Sequence, residues 1–116
     1  MADIMSLEEI KSKFLEIFEK AKQKKSEEIS SINRVFQFVL EDGTEFYIEI
    51  SGGQAKIETG KHPQAVATLS TDRETLDKIL KGELDAMAAF MRGKLKITGN
   101  VIETVKLRQI LEAAKE

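Results

Sequence analysis

Between Leu84 and Met91 the chain runs Leu-Asp-Ala-Met-Ala-Ala-Phe-Met, with Asp85 as its single charge. A helix made from these residues is apolar nearly all round, and such a helix is ordinarily buried on every side. A small domain meets that demand only by wrapping the helix in core or by letting one side face a cavity or a partner. The residues that follow change character quickly. Gly93 marks a turn, Leu95 and Ile97 alternate with Lys94 and Lys96 as in a short strand, and Asn100 followed by Glu103 predicts the cap of a last helix. At 100° per residue, Val101, Ile102 and Val105 gather on one side of that helix. Leu107, Ile110, Leu111 and Ala114 gather on nearly the opposite side, so it carries two apolar surfaces. One can pack on a sheet while the other closes a pocket. Two blander readings stay open: an ordinary core helix with Met87 and Met91 as adaptable filler, and a final helix buried between neighbours or in a dimer.

The residues before this junction supply the scaffold. Ser6 and Glu9 form a capping box, and Leu7, Ile10, Phe14, Ile17, Phe18 and Ala21 then fall three and four apart on one helical stripe. Glu9 with Lys13 and Glu16 with Lys20 dress the outer face. The lysines at 20, 22, 24 and 25 read as part of a solvated face, because Glu27 and Glu28 follow at once. From Arg34 the period becomes two. Phe36, Phe38 and Leu40 point one way, and Phe46, Ile48 and Ile50 do so on the next strand. Asp42-Gly43 is a tight-hairpin signal between them. Gly52-Gly53 leads to a third strand with Ala55, Ile57 and Thr59, and is read as a turn because no phosphate-binding helix start follows it. Residues 65–70 suit a fourth strand. Thr71 and Glu74 predict a second capping box, for a helix with Leu76, Ile79 and Leu80 that stops at Gly82.

Charge and composition exclude several functions. Eighteen basic and twenty acidic residues nearly cancel, so the concentrated positive field of a nucleic-acid binder is missing. No cysteine is present, which removes disulfides, thiol nucleophiles and sulfur ligation. No apolar run reaches the roughly 20 residues that span a bilayer. His62 is the single histidine and has no partner in catalytic or metal-binding spacing. Neither enzyme chemistry nor a cofactor nor a metal is expected.

Phe90 to Asn100, read as FMRGKLKITGN, closely resembles the signature of the sterol carrier protein type 2 domain, the non-specific lipid-transfer family. The order of elements resembles that family too, through the turns at Asp42-Gly43 and Gly52-Gly53, the Thr71-Asp72 helix start, the Leu80-Lys81-Gly82 stop and Lys106-Leu107. The resemblance runs from about Asn33 to Leu111. It implies an α+β fold, a five-stranded mostly antiparallel sheet with helices packed on one face, enclosing a hydrophobic tunnel. It also implies non-catalytic binding and transfer of fatty acids, fatty acyl-CoA, sterols or phospholipids.

On that basis residues 1–116 are expected to be a single stand-alone lipid-binding domain, a monomer or weak homodimer, with transient membrane contact and no nucleic-acid partner. The ending Ala114-Lys115-Glu116 is not a peroxisomal address, so a cytoplasmic protein of a bacterium or archaeon is expected. The expected lipid-binding residues are Phe36, Ile48, Leu76, Leu80, Leu84, Met87, Phe90, Met91, Ile102 and Val105, with Arg92 as a candidate for the polar mouth. A pocket of the usual kind holds roughly 300 to 1,000 Å³. The alternative is an interaction module that packs its apolar helix against an enzyme subunit or a second copy of itself.

Overall fold

Helix α1 (Leu7–Lys24) begins where its spacing predicts. The Glu9 amide donates to Ser6 Oγ at 3.2 Å and the Ser6 amide donates to Glu9 Oε1 at 2.9 Å, so each satisfies an amide that the helix leaves free. These side-chain and backbone bonds lower the Glu9 carboxyl below its ordinary value. The structure, a computed structural model, describes residues 4–116. The stripe of α1 is buried at Ile10, Phe14, Ile17, Phe18 and Ala21. A short helix α2 (Ser26–Ser30) follows and sinks Ile29 completely, with Ile32 close behind.

The sheet is built from β1 (Arg34–Leu40), β2 (Glu45–Ser51), β3 (Gln54–Thr59), β4 (Ala67–Thr71) and β5 (Lys96–Gly99), in the spatial order β3-β2-β1-β4-β5. The first three strands form the antiparallel meander read from the alternation, with Phe36 opposite Ile48 and Ile48 opposite Ile57. The next step is not local. β4 runs parallel to β1, setting Phe38 beside Leu69, and β5 runs antiparallel to β4, setting Leu69 beside Ile97. Phe38 and Phe46 stack face to face across β1 and β2, centroids 4.9 Å apart. The apolar face of the sheet is covered by α1, α3 (Arg73–Leu80), α4 (Ala86–Met91) and α5 (Val105–Ala114), with α1 and α5 packed on one another.

The opposite sheet face carries the only buried glutamine of the described residues. Gln37 Nε2 donates to the carbonyls of Gly60 (2.8 Å) and Phe46 (3.0 Å), and its Oε1 accepts from the His62 amide at 2.9 Å. The His62 ring lies edge-on to Tyr47 and its Nδ1 accepts from the Gln64 amide. His62 therefore pins a connecting loop to the outer face of the sheet.

Two local expectations are corrected, and the ordinary-core reading of the apolar helix is set aside. The residue that caps α3 is Asp72, which accepts from the Thr75 amide and hydroxyl at 2.7 and 2.8 Å, not Thr71. Thr71 is the last residue of β4, and its hydroxyl donates to the Lys94 carbonyl at 2.8 Å. Asn100 does cap the Glu103 amide, but what it starts is a 3₁₀ turn (Ile102–Thr104), from which α5 continues. The apolar helix is not buried on every side. It is only six residues long, Ala89 is its one buried residue, and Met91 is 78% exposed. A single turn and a half next to a turn on each side is too short to be enclosed.

Gly93 ends α4 in a Schellman arrangement, with positive φ, its own amide bonded to Phe90 O and the Lys94 amide bonded to Ala89 O at 2.9 Å. Gly82 ends α3 in the same way, with the Glu83 amide on Lys78 O at 2.8 Å. The α4 segment is thus bracketed by two glycine turns.

A candidate lipid cavity

Between the sheet and its helices lies a cavity of about 130 Å³. Period-two alternation aims Phe38, Phe46, Ile48, Leu69 and Ile97 into it from the strands, and helical spacing brings Ile10 and Phe14 of α1 and Leu76, Ile79 and Leu80 of α3 over them. Ala86, Met87 and Phe90 of α4 close one side, and Val101, Val105, Leu107 and Leu111 close another. Thr71, Thr104 and Arg108 are the polar lining residues. The two hydroxyls are already engaged, Thr71 with Lys94 O and Thr104 with Val101 O. Among the described residues Arg108 is then the one charge at the wall, and its Nε reaches Asp85 Oδ1 at 3.4 Å.

α3 is held in place by charge as well as by packing. Asp77 is buried, accepting from the Met5 amide at 2.9 Å and pairing with Lys81 Nζ at 2.9 Å. Burial alone would push its carboxyl up, but Lys81 and the Met5 N–H outweigh it and hold the group below its ordinary value. The start of α3 is tied to the first hairpin by Arg73, which donates to Asp42 (2.9 Å), Thr44 (2.8 Å) and Met5 O (3.3 Å). The hydroxyl and amide of Thr44, together with Arg73, lower the Asp42 carboxyl to about 2.

Of the ten residues expected to line the site, the structure brings Ile48, Leu76, Leu80, Met87, Phe90 and Val105 to the cavity wall. The other four lie elsewhere. Phe36 is fully buried two residues below Phe38 on the same strand face, Leu84 is half-buried against the core, and Met91 and Ile102 face solvent at 78% and 81% exposure. Arg92 is exposed at the end of α4 and is not at the wall. Sequence reasoning passed over Arg108, although it shares a helical stripe with Val101, Val105 and Leu111 at spacings of three and four. It also passed over the contribution of α1.

Four of the lining residues, Met87 and Phe90 of α4, Val101 and Val105 at the start of α5, are also exposed to solvent, and Met91 and Ile102, their neighbours in the chain, are exposed apolar side chains too. Among the described residues no helix is long and apolar enough to cross a membrane, and no cluster of acidic or histidine side chains could hold a metal ion.

A mixed five-stranded sheet that shelters an apolar cavity under helices packed on one face defines an α+β fold. The sequence model of the SCP-2 sterol transfer family matches residues 14–112, and the chain belongs to that family. It is similar to hydroxysteroid dehydrogenase-like protein 2 of Rattus norvegicus, 32% identical over 100 residues, a match covering 83% of this chain and 19% of the rat protein. The chain spans about a fifth of the length of the curated relatives it matches. In fold it is similar to apo sterol carrier protein 2 from Yarrowia lipolytica, with a TM-score of 0.66 and 24% identity, covering 100% of this chain and 97% of the other. It is also similar to palmitated SCP2L2 from Aedes aegypti, with a TM-score of 0.69 and 18% identity over 92% and 95% of the two chains.

Proposed function

We propose that the domain binds the apolar chain of a lipid in this cavity and carries it between membranes, without catalysing a reaction. The observation that carries the reading is the nearly apolar wall that the described residues give to a partly open cavity in a member of this family. The palmitate on the Aedes protein, which shares the fold, supports an acyl chain as the ligand. Each methylene moved from water into such a wall gains about 0.8 kcal/mol, so affinity comes from chain length and selectivity among long chains is low. Fatty acids are the simplest candidates, with acyl-CoA, sterols and phospholipids as larger ones.

The cavity is smaller than the range expected for a ligand of this size. A void of about 150 Å³ lined by Leu, Ile and Phe holds one benzene ring, so about 130 Å³ accepts only a few methylenes at a time. A long chain enters by displacing a wall. α4, with Ala89 as its single buried residue, is the wall least tied to the core. The exposed apolar rim beside it suits transient insertion into a membrane surface, where its hydrophobic groups leave water.

Native mass spectrometry of the purified protein mixed with palmitate is expected to show a one-to-one complex. The absence of both a bound lipid and any uptake at saturating palmitate would sink the reading. Met87→Glu places a charge on the wall and should weaken palmitate binding about tenfold, the equivalent of ~1.4 kcal/mol, in a protein that remains folded. For the rim, Ile102→Ser should reduce co-sedimentation with phosphatidylglycerol vesicles; unchanged co-sedimentation would remove the rim from membrane contact. The same rim also suits a protein partner, and a dimer at all concentrations in ultracentrifugation that never takes up lipid would favour that interaction module instead.

A further inference from the structure

We infer that Arg108 and Asp85 form a latch across the cavity mouth, and that the anionic head group of a single-chain amphiphile opens it by taking Arg108 from Asp85. The inference rests on the lipid-binding reading and adds to it a head-group class, the residue that selects it and the part of the wall that moves.

The first observation is position. Arg108, on α5, is the one charged residue among the described residues that line the cavity, and Asp85 stands immediately before α4, the least anchored wall. The pair therefore bridges the two elements whose separation would widen the site.

The second is geometry. The contact is a single hydrogen bond from Arg108 Nε at 3.4 Å, and both side chains are 41% exposed. A hydrogen bond of this length between half-exposed groups is weak. The other arginine pairs of the molecule are better made. Arg34 meets both oxygens of Glu103 at 2.8 and 3.3 Å, and Arg73 reaches Asp42 and Thr44 at 2.9 and 2.8 Å. A guanidinium has five N–H donors in a flat fork that fits a carboxylate through two parallel bonds. Arg108 spends one of them on Asp85. A carboxylate or similar oxyanion arriving with its alkyl chain in the cavity would be held by the fork in the way Glu103 is held by Arg34, and would outcompete Asp85.

The third concerns what Asp85 and α4 do on release. Asp85 occupies the N-cap position of α4 with extended backbone angles, yet its side chain makes no capping bond. Freed from Arg108, its carboxylate can turn to the open amides of the first turn, as aspartate at this position commonly does. α4 would thus stay helical as it moves. Its two flanking turns are glycines at positive φ, Gly82 and Gly93, with open space around the second. Such positions absorb hinge rotation readily. A neutral head group cannot pay the latch in this way and must break the contact without replacement.

Isothermal titration of the protein with dodecanoate and with 1-dodecanol, each below its solubility limit, tests the latch. The wild type should prefer dodecanoate. Arg108→Gln should lose about tenfold in dodecanoate affinity and bind dodecanol at least as well as the wild type, which also shows that the variant is folded. Asp85→Asn should bind both ligands several-fold more tightly and keep the preference for the carboxylate. The inference is overturned, with lipid binding left standing, by a dodecanoate-to-dodecanol ratio that Arg108→Gln leaves unchanged, by a wild type without preference, or by Asp85→Asn affinities equal to wild type. Binding of neither ligand by the wild type would overturn this inference and the lipid reading together.

Discussion

Replacing Ala86 with phenylalanine is expected to weaken fatty-acid binding by about a hundredfold while leaving thermal stability within a few degrees of wild type. Ala86 lies on the cavity wall at the start of α4 and is half-buried against the core. A void near 150 Å³ has the size of one benzene ring, and the cavity here is about 130 Å³. The new ring would therefore fill existing space, and the usual cost of overpacking a filled core, about 1–3 kcal/mol, should largely be avoided. A ligand would lose room for three or four methylenes, roughly 3 kcal/mol at 0.8 each, or about two powers of ten in affinity. Titration calorimetry with palmitate and a melting curve on the same sample check both halves. Undiminished affinity in a folded variant would mean that the acyl chain lies somewhere else.

The second large effect concerns the backbone where β5 ends beside β4. Gly99→Val should destabilise the protein by about 3 kcal/mol or more and lower its melting temperature by roughly 10 °C or more. Gly99 ends β5 at φ +90°, where a β-branched residue is strained. A Cβ added there would also stand 2.8 Å from the Val66 carbonyl oxygen and 3.0 Å from Ala67 Cα, both of them backbone atoms that cannot swing aside. Gly93 provides the internal control. It too has positive φ, but nothing lies within 4 Å of its added Cβ, so Gly93→Ala should cost only the conformational preference, about 1 kcal/mol. Equal losses for the two variants, measured by urea unfolding, would refute the close-approach argument for Gly99.

The two glycines also show how far the sequence can be read. Both belong to the FMRGKLKITGN stretch that carries the family resemblance, and a turn at Gly93 is visible from the end of the apolar run. The tight approach of Gly99 to Val66 is not, because it depends on β4 and β5 lying side by side. The meander β1-β2-β3 was legible in the same local sense, through alternation and two turn signals. The parallel pairing of β1 with β4 joins strands that are far apart in the chain, and no short-range pattern encodes it.

The same distinction separates the expected site from the observed cavity. Alternation says which face Phe36 and Phe38 share, but not which of them borders the cavity; Phe38 does. The hydrophobic stripe of α1 was read as core, and only the crossing of α1 over the sheet makes Ile10 and Phe14 part of the wall. At the cap of α3, Thr71 and Asp72 are neighbours with equal capping chemistry, and the extension of β4 through Thr71 decides between them. Met91 and Ile102 are hydrophobic, which an exposed apolar surface requires as much as a cavity wall does. Arg108 is the charged member of an otherwise apolar stripe, so hydrophobic periodicity alone does not point to it.

The cavity wall is drawn from four helices and four strands, and no adjacent pair of them encloses it. It therefore exists only in the fully assembled chain, and an unfolded molecule has nothing to offer a lipid. Binding then acts as a tether on global unfolding: at a free ligand concentration a hundred times Kd it adds about 2.7 kcal/mol to stability. Unfolded molecules are the ones that proteases cut, so on the proposed function the lifetime of this carrier would follow the supply of its cargo, long when lipid is plentiful and shorter when it is scarce.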